Sequence, residues 1–508
     1  MKCCKMMKQF LIFFILLSCL SLSFSDVDIK IYGPGLNPAN IVMPARYFFL
    51  NCTTLKKSMS IDEIEKKLSV AISGQHVTDR SARIWLNVLN RRDGFFVIRY
   101  KLYETCKSMQ IVAKFNNKHI GGSPFVFNET IQAEHCYCPK RDFESWLSNY
   151  GCSNNLTNYP QIEEDLRPFK DIDYNSFRSE FVKKFDRPAS MSVCNYVVLR
   201  NQLYRTCYGQ HVGFKMFMDA ILLSLARKVS LPDFEIFVNL GDWPLIKKGD
   251  KPIYPLFSWC GSHSTHDIVM PTYDLTESSL QAMGRVSLDM LSVQGNINKV
   301  WNEREAKAFW RGRDSSEERL KLIEISRQNP NLINASLTNF FFFRHLENQY
   351  GPKTKHISFF KFFDYKYQIN LDGTVAGYRL PYLFSGGSLV LKQDSEYYEH
   401  FYRDLKPKHH YLAVKRDLSN LINKIKWAKE NDEKAEKIAS NGQQFALNNL
   451  LPQHVFCYHA VLFHEWSKLI VSSIRVNDGM EHVPQPSSED DCFCDEDLHQ
   501  TNISKDEL

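Results

Sequence analysis

Apolar and polar positions alternate with a period of two from Asp26 to about Gln132. Asp28 and Lys30 separate Val27, Ile29 and Ile31, and the same spacing recurs in Ile84, Leu86 and Val88 and in Phe96, Ile98, Tyr100 and Leu102. Successive side chains of an extended chain point to opposite faces, so each run predicts a strand with one face in a core. Gly33-Pro34-Gly35, Arg92-Asp93-Gly94 and Gly121-Gly122-Ser123-Pro124 supply the turns. About a hundred residues in this pattern predict a small all-β, immunoglobulin-like sandwich. Cys52 and Cys106 are candidates to staple it.

The period changes after Cys136. Phe214 to Leu225 carries apolar residues at helical spacing, Phe234 to Asn239 is a short apolar run, and Gly387 to Leu391 is another that precedes a helical stretch. Alternating helices and buried strands predict an α/β domain with parallel sheets. About 340 residues exceed one doubly wound domain, so two Rossmann-like halves facing a cleft are expected, with ligands where strand ends meet helix starts. Leu418 to about Ser473 reads as mainly helical, with Trp427, Ile438, Phe445 and Phe463 in the core. From about Asn477 the chain is polar and acidic around Ser487 to Asp491, which predicts a flexible stalk. The resulting divisions are 1–25, 26–132, 133–475 and 476–508.

The ends of the chain add a compartment. Lys2, Lys5 and Lys8 precede the apolar run Phe10 to Leu17 and a Ser-rich stretch to Ser25, the layout of a secretory signal peptide too short to span a bilayer. No other stretch has the apolar length of a membrane span, so none is expected. Lys505-Asp506-Glu507-Leu508 reads as a retrieval address, which predicts the endoplasmic reticulum lumen and the KDEL receptor as a partner. The formal net charge of +6 includes three leader lysines, and no Lys/Arg run stands out, so no nucleic-acid partner is expected.

Three of the 14 cysteines (Cys3, Cys4 and Cys19) lie in the leader, which leaves an odd number behind. Cys136/Cys138, Cys492/Cys494 and Cys194/Cys207 are near one another in sequence. The one-residue spacing and the lack of a matching His pair favour disulfides over a zinc site. Asn51, Asn128, Asn155, Asn334 and Asn502 begin N-x-[ST] sequons.

Gly33-Pro34-Gly35-Leu36 and His119-Ile120-Gly121-Gly122-Ser123-Pro124-Phe125 resemble the opening and closing of a filamin-type repeat, which implies a binding or spacing module without chemistry of its own. Five ordered motifs follow: Glu163-Glu164-Asp165-Leu166-Arg167-Pro168-Phe169, Asn239-Leu240-Gly241-Asp242-Trp243-Pro244, His266-Asp267-Ile268, Phe309-Trp310-Arg311-Gly312-Arg313 and Tyr367-Gln368-Ile369-Asn370-Leu371-Asp372-Gly373. With them, the stretch from about Cys136 to Leu469 resembles the CAP10-like protein O-glucosyltransferases. The filamin-type module and the terminal address narrow the resemblance to the KDEL-motif-containing members.

That resemblance implies a GT-B enzyme that moves glucose from UDP-glucose to serine, with inversion, in folded epidermal-growth-factor-like repeats of Notch-type or fibrillin-type clients. It implies no cofactor and no metal, and it leaves xylose open as a donor sugar. It also implies that Cys194 pairs with Cys207 and that Cys457 ties back to Cys136, Cys138 or Cys152. The chain departs from many relatives in having Arg313 where they have Ser. Phe363 and Ser385 stand where some relatives have a disulfide, and the segment after Pro271 is shorter.

On pattern alone, an Asp between Gly241 and Pro244 reads as an Asx-turn residue. The resemblance instead makes Asp242 the base that takes the proton of the attacking hydroxyl. A departing diphosphate needs a metal or fixed donors. The three Asp-x-Asp pairs, at 26/28, 171/173 and 495/497, read as solvated or structural. Arg311, Arg313 and Arg319 bracket a helix start, where guanidinium groups and backbone N–H groups suit phosphate oxygens. Without the resemblance, Arg319 pairs equally well with Glu317 or Glu318 at the surface. Thr374, Val375, Ala376, Gly377, Tyr378 and Arg379 match the family's nucleotide-sugar segment, and His266 with Asp267 reads as a structural pair. The competing reading is a catalytically inactive luminal binding or chaperone-like protein. The filamin-type module favours it and the surviving base and donor motifs oppose it.

Overall fold

Tyr47-Phe48-Phe49-Leu50 is a continuous apolar run where an alternating one would suffice for a half-exposed sheet, because the strand that carries it is buried on both faces. The computed structural model describes residues 29–40, 45–280 and 289–486, together with Cys492 and Cys494. The leader, Asp26, Asp28, Asp495, Asp497, Asn502 and Lys505 to Leu508 lie outside the described residues.

The first unit has two antiparallel sheets. One contains β1 (Lys30–Tyr32), β2 (Arg46–Asn51), β4 (Ile84–Asn90) and β5 (Phe95–Leu102), in the order β1-β2-β5-β4. The other is built on β3 (Leu68–His76) and β6 (Cys106–Phe115), with the short β7 (Lys118–His119) and β8 (Phe125–Phe127) both pairing with β6. Phe48, Leu50, Phe96, Ile98 and Tyr100 point inward to meet Met109, Ile111 and Ala113. Their neighbours Tyr47, Phe49 and Val97 point the other way. They share a core with Phe143, Trp146 and Tyr150 of the helix Phe143–Tyr150 in the second unit.

Cys52 and Cys106 do not staple this unit. Both are buried free thiols, pushed up to about 11 by burial. Cys52 lies beside Gly94 at the start of β5, and Cys106 follows the far end of that strand. Seven strand steps separate the two ends by about 20 Å, far beyond the Cα spacing of roughly 7 Å that a disulfide tolerates.

The second unit holds two larger sheets. The first contains β9 (Val193–Leu199), β10 (Gln202–Tyr208), β11 (Phe234–Asn239), β12 (Phe257–Ser258), β14 (Ile268–Val269) and β21 (Glu481–Val483), in the order β14-β12-β11-β9-β10-β21. It is not the expected parallel sheet, since β10 and β11 both run antiparallel to β9. Arg200 and Asn201 both have positive φ, 50° and 61°, and close β9 and β10 into a two-residue hairpin. Cys194 and Cys207 stand opposite each other in that ladder and are bonded.

The second sheet matches the expectation. It contains β15 (Glu305–Arg313), β16 (Ile333–Asn339), β17 (Tyr365–Asn370), β18 (Leu389–Gln393) and β20 (Leu412–Val414), all parallel, in the order β16-β15-β17-β18-β20. A small ladder of β13 (Gly261–Ser262) with β19 (Tyr397–Tyr398) links the two lobes. Ile438, Phe445 and Phe463 of the late helices are buried, and Trp427 is half-buried.

The polar segment after residue 476 is not a free stalk over residues 477–486 or at Cys492 and Cys494. β21 adds to the edge of β10, and Cys136–Cys492 and Cys138–Cys494 bind the segment to the junction of the two units. Cys152–Cys457 ties the late helices back. Among the described residues, no helix is long and apolar enough to cross a membrane. Asn128 and Asn155 are exposed, and in the sequons of Asn51 and Asn155 the Thr hydroxyl donates to the Asn side-chain oxygen.

Candidate active site

Asp242 stands three residues past the end of β11, in a turn shaped by Asn239. The fully buried Asn239 side chain accepts from Gly241 N at 2.9 Å and donates to Trp243 O at 2.7 Å and to Ser258 Oγ at 3.1 Å. The Asx-turn that the pattern suggests for Asp242 is therefore made by Asn239, which leaves the Asp242 carboxylate to the cleft. Tyr273 Oη donates to Asp242 Oδ1 at 3.0 Å, and Thr374 Oγ1, from the opposite lobe, lies 3.5 Å from Oδ2. Burial and the neighbouring carboxylate hold the Tyr273 phenol far above its ordinary range, so it remains a donor.

The cleft facing Asp242 measures about 550 Å³, and all ten sequence-derived base and donor residues line it: Asp242, Arg311, Arg313, Arg319 and Thr374 to Arg379. The three arginines of the first cluster differ sharply in what they are free to do. Arg319 is buried, and burial pushes its guanidinium down to about 9. Its Nε donates to Asp372 O at 2.8 Å, and its terminal nitrogens reach Arg313 O, Ser315 Oγ and Leu371 O. It clamps the loop that follows β17 to the end of β15 and is not the surface partner of Glu317 or Glu318. Arg311 donates to Trp310 O, Asn334 O and Asn334 Oδ1 and lies 4.4 Å from the Phe309 ring centre. Arg379 donates to Arg311 O at 2.6 Å. Arg313 is exposed and its side chain forms no hydrogen bond or ion pair among the described residues, so it is the cation free to meet an anionic ligand.

Asn334, the fourth sequon, has its side chain engaged in the protein. It lies within β16, and its side chain is used by Arg311 and by Tyr365 Oη, to which its Nδ2 donates at 2.9 Å. Its Oδ1 and backbone carbonyl both accept from Arg311, which holds that guanidinium against β16.

The loop from Gly373 to Arg379, called the donor loop below after the role the resemblance implies, is compact. Gly373 N donates to Val375 O at 2.8 Å, and Val375 and Ala376 are buried. A Cβ on Gly377 would stand 2.7 Å from Leu371 O, so this position admits no side chain. Tyr378 packs edge-on against Tyr273, with ring centres 5.5 Å apart.

Of the remaining motif residues, Asp267 is structural. It accepts from Leu245 N, Ile246 N and Ser258 Oγ, burial raises its carboxyl to about 6, and no bond to His266 forms. Asp173 caps the helix Tyr174–Phe185. Sequence reasoning passed over Tyr273 and Asp274, which line the cleft, and Asp314, whose fully buried carboxylate accepts from Phe341 N and Phe343 N. Asp314 directly follows a motif arginine, and that adjacency was the available signal.

A carboxylate with a phenol to aim it, across from a glycine-bearing loop walled by arginines, defines a group-transfer enzyme for an anionic, leaving-group-activated donor. The chain belongs to glycosyl transferase family 90, whose model matches residues 149–500, and a Filamin/ABP280 repeat model matches residues 24–126. It is similar to protein O-glucosyltransferase 2 of Danio rerio, with 49% identity over 469 residues that cover 91% of this chain and 92% of that protein. Protein O-glucosyltransferase 3 of Homo sapiens is 43% identical over 489 residues, 94% of either chain. A solved structure of Anabaena HepE in complex with UDP-glucose aligns at 12% identity over 50% of this chain and 74% of that one, with a TM-score of 0.27, and carries no argument about the site.

Proposed function

We propose that the protein transfers glucose from UDP-glucose to a serine hydroxyl of folded epidermal-growth-factor-like repeats, with inversion and without a metal. The observation that carries this reading is the Asp242 carboxylate, aimed by Tyr273 across the cleft from the Thr374–Arg379 loop. The serine oxygen forms its bond to the anomeric carbon as its proton passes to Asp242. The bond from that carbon to the β-phosphate oxygen breaks, and its electron pair leaves on UDP. Arg313 meets the charge that develops there, which supports a metal-free leaving group. The relatives' names supply a protein acceptor, and the family resemblance supplies the repeat.

The architecture in this reading is GT-B, with two Rossmann-like halves behind an immunoglobulin-like sandwich. The work place is the endoplasmic reticulum lumen, supported by the leader, the terminal Lys505 to Leu508 and four disulfides that suit an oxidising compartment.

Intact-mass measurement of such a repeat, incubated with UDP-glucose or UDP-xylose, tests the assignment. The expected result is one added hexose from UDP-glucose, unchanged by EDTA and slowed roughly 10³-fold by Asp242→Asn. Full activity in that variant removes Asp242 as the base, and loss of activity in EDTA overturns metal independence.

A further inference from the structure

A second cavity, of about 640 Å³, shares no lining residue with the cleft and takes no part in the chemistry above. It lies behind the donor loop, between the segment around Asp165 and the end of β18. Lys392 lines it from β18 and is only 7% exposed. Its Nζ sits 4.2 Å from the centre of the Tyr402 ring, has one long contact of 3.4 Å to Gln393 O, and forms no ion pair among the described residues. Asp372, Glu399 and Asp394 favour its charge from beyond ion-pair contact while burial opposes it, and a buried ammonium with no anion in contact is costly unless something anionic completes it.

Asp165, elsewhere in the wall, does not complete it either. Asp165 accepts from Gln161 Nε2 at 2.8 Å and from Val269 N at 2.9 Å, and burial raises its carboxyl to about 8, so its charge at neutral pH is largely suppressed. Arg403, Tyr398 and His266 add hydrogen-bonding groups and flat ring surface to the same walls. A volume of this size and a mixture of rings with convergent polar groups suit a small ligand rich in hydroxyls.

We propose that this cavity is a second ligand site that takes a phosphorylated sugar, with the phosphate on Lys392 and the hydroxyls on the polar wall around Arg403. The inference does not rest on the transfer chemistry proposed above, and its test takes from that reading only that UDP fills the cleft. The site has a physical connection to the donor loop through Asp372. Ser395 Oγ, on the cavity side, donates to Asp372 Oδ2 at 2.5 Å, and Asp372 N donates to Gln393 Oε1 at 3.0 Å. On the cleft side, the Asp372 carbonyl accepts from Arg319.

Isothermal titration calorimetry of the full chain with glucose 1-phosphate, in saturating UDP to occupy the cleft, tests the site. One equivalent is expected to bind, with inorganic phosphate and free glucose each at least about tenfold weaker. Lys392→Met is expected to weaken binding at least about tenfold, the loss of one charge-assisted contact, while Lys392→Arg retains it. If Lys392→Met does not fold, Arg403→Met, at a side chain 46% exposed at the mouth, carries the test and is also expected to weaken binding. No binding in the presence of UDP overturns the proposal, as does equal affinity for inorganic phosphate or unchanged affinity in the folded Lys392→Met and Arg403→Met variants.

Discussion

At the scale of single residues, the site depends on which groups are already occupied. Arg319 and Arg311 spend most of their donors on backbone carbonyls and on Asn334, whereas Arg313 keeps its donors free. Positive residues in one motif therefore do different work, and sequence alone could not separate them because hydrogen-bond partners more than 20 residues away decide it. Tyr273 aims Asp242 through a single hydrogen bond at 3.0 Å. Tyr273→Phe keeps the ring packing against Phe217 and removes that bond. In steady-state kinetics kcat is expected to fall about tenfold with the donor KM unchanged, the value of one hydrogen bond to a charged group. An equal rise in KM would assign Tyr273 to donor binding. The place of Asp242 at a strand end near a cleft was legible from the short apolar strand and polar turn, but on that pattern it read as an Asx-turn residue, and only the family resemblance marked it as a base. The part played by Asn239 was not legible, because Asn239 lies inside the apolar run that reads as strand.

At the scale of elements, the parallel sheet of the second lobe was readable from alternating strands and helices, and the mixed sheet of the first lobe was not. An apolar run reports burial and carries no information on direction. The pair Arg200-Asn201 was the only local sign of a hairpin between β9 and β10, and Arg at the first turn position weakens that sign. The packing of β5 on the helix Met290–Gly295 was likewise hidden. Arg99 on β5 donates to Asp289 Oδ2 at 3.1 Å and to Ser292 Oγ at 3.0 Å, where Asp289 also caps that helix. Both side chains of the pair are largely buried, at 11% and 13% exposure. Removing one partner leaves the other uncompensated, so Arg99→Ala is expected to cost about 2 kcal/mol in denaturant unfolding. An unchanged midpoint would show that the apolar contacts of Tyr47, Phe49 and Val97 hold the units together unaided.

At the scale of the whole molecule, the two units share one core, and an acid is buried where the two lobes meet. Glu399 is fully buried, neither carboxylate oxygen has a well-formed hydrogen bond among the described residues, and burial raises it to about 8 from an ordinary value of 4.5 against the opposing pull of Tyr402 and Lys392. Between those values the folded chain holds a proton that the unfolded chain releases, so this group's contribution to stability falls as pH rises from about 4.5 to 8. Glu399→Gln has no such proton. Differential scanning fluorimetry from pH 5 to 9 is expected to show a flatter melting profile for the variant, which is relatively more stable at pH 8. Parallel profiles would show that Glu399 is ionised in the fold.

The division into a β-rich unit and an α/β unit was legible from the change of period at Cys136, but the closure of the chain on itself was not. Cys136 and Cys138 are bonded to Cys492 and Cys494 across 356 residues in each case. A chain grows from its N-terminus, so the first two thiols wait through synthesis of the entire transferase unit before their partners exist. The same bonds that fasten the strap can therefore be set only after the whole transferase unit between them has been made.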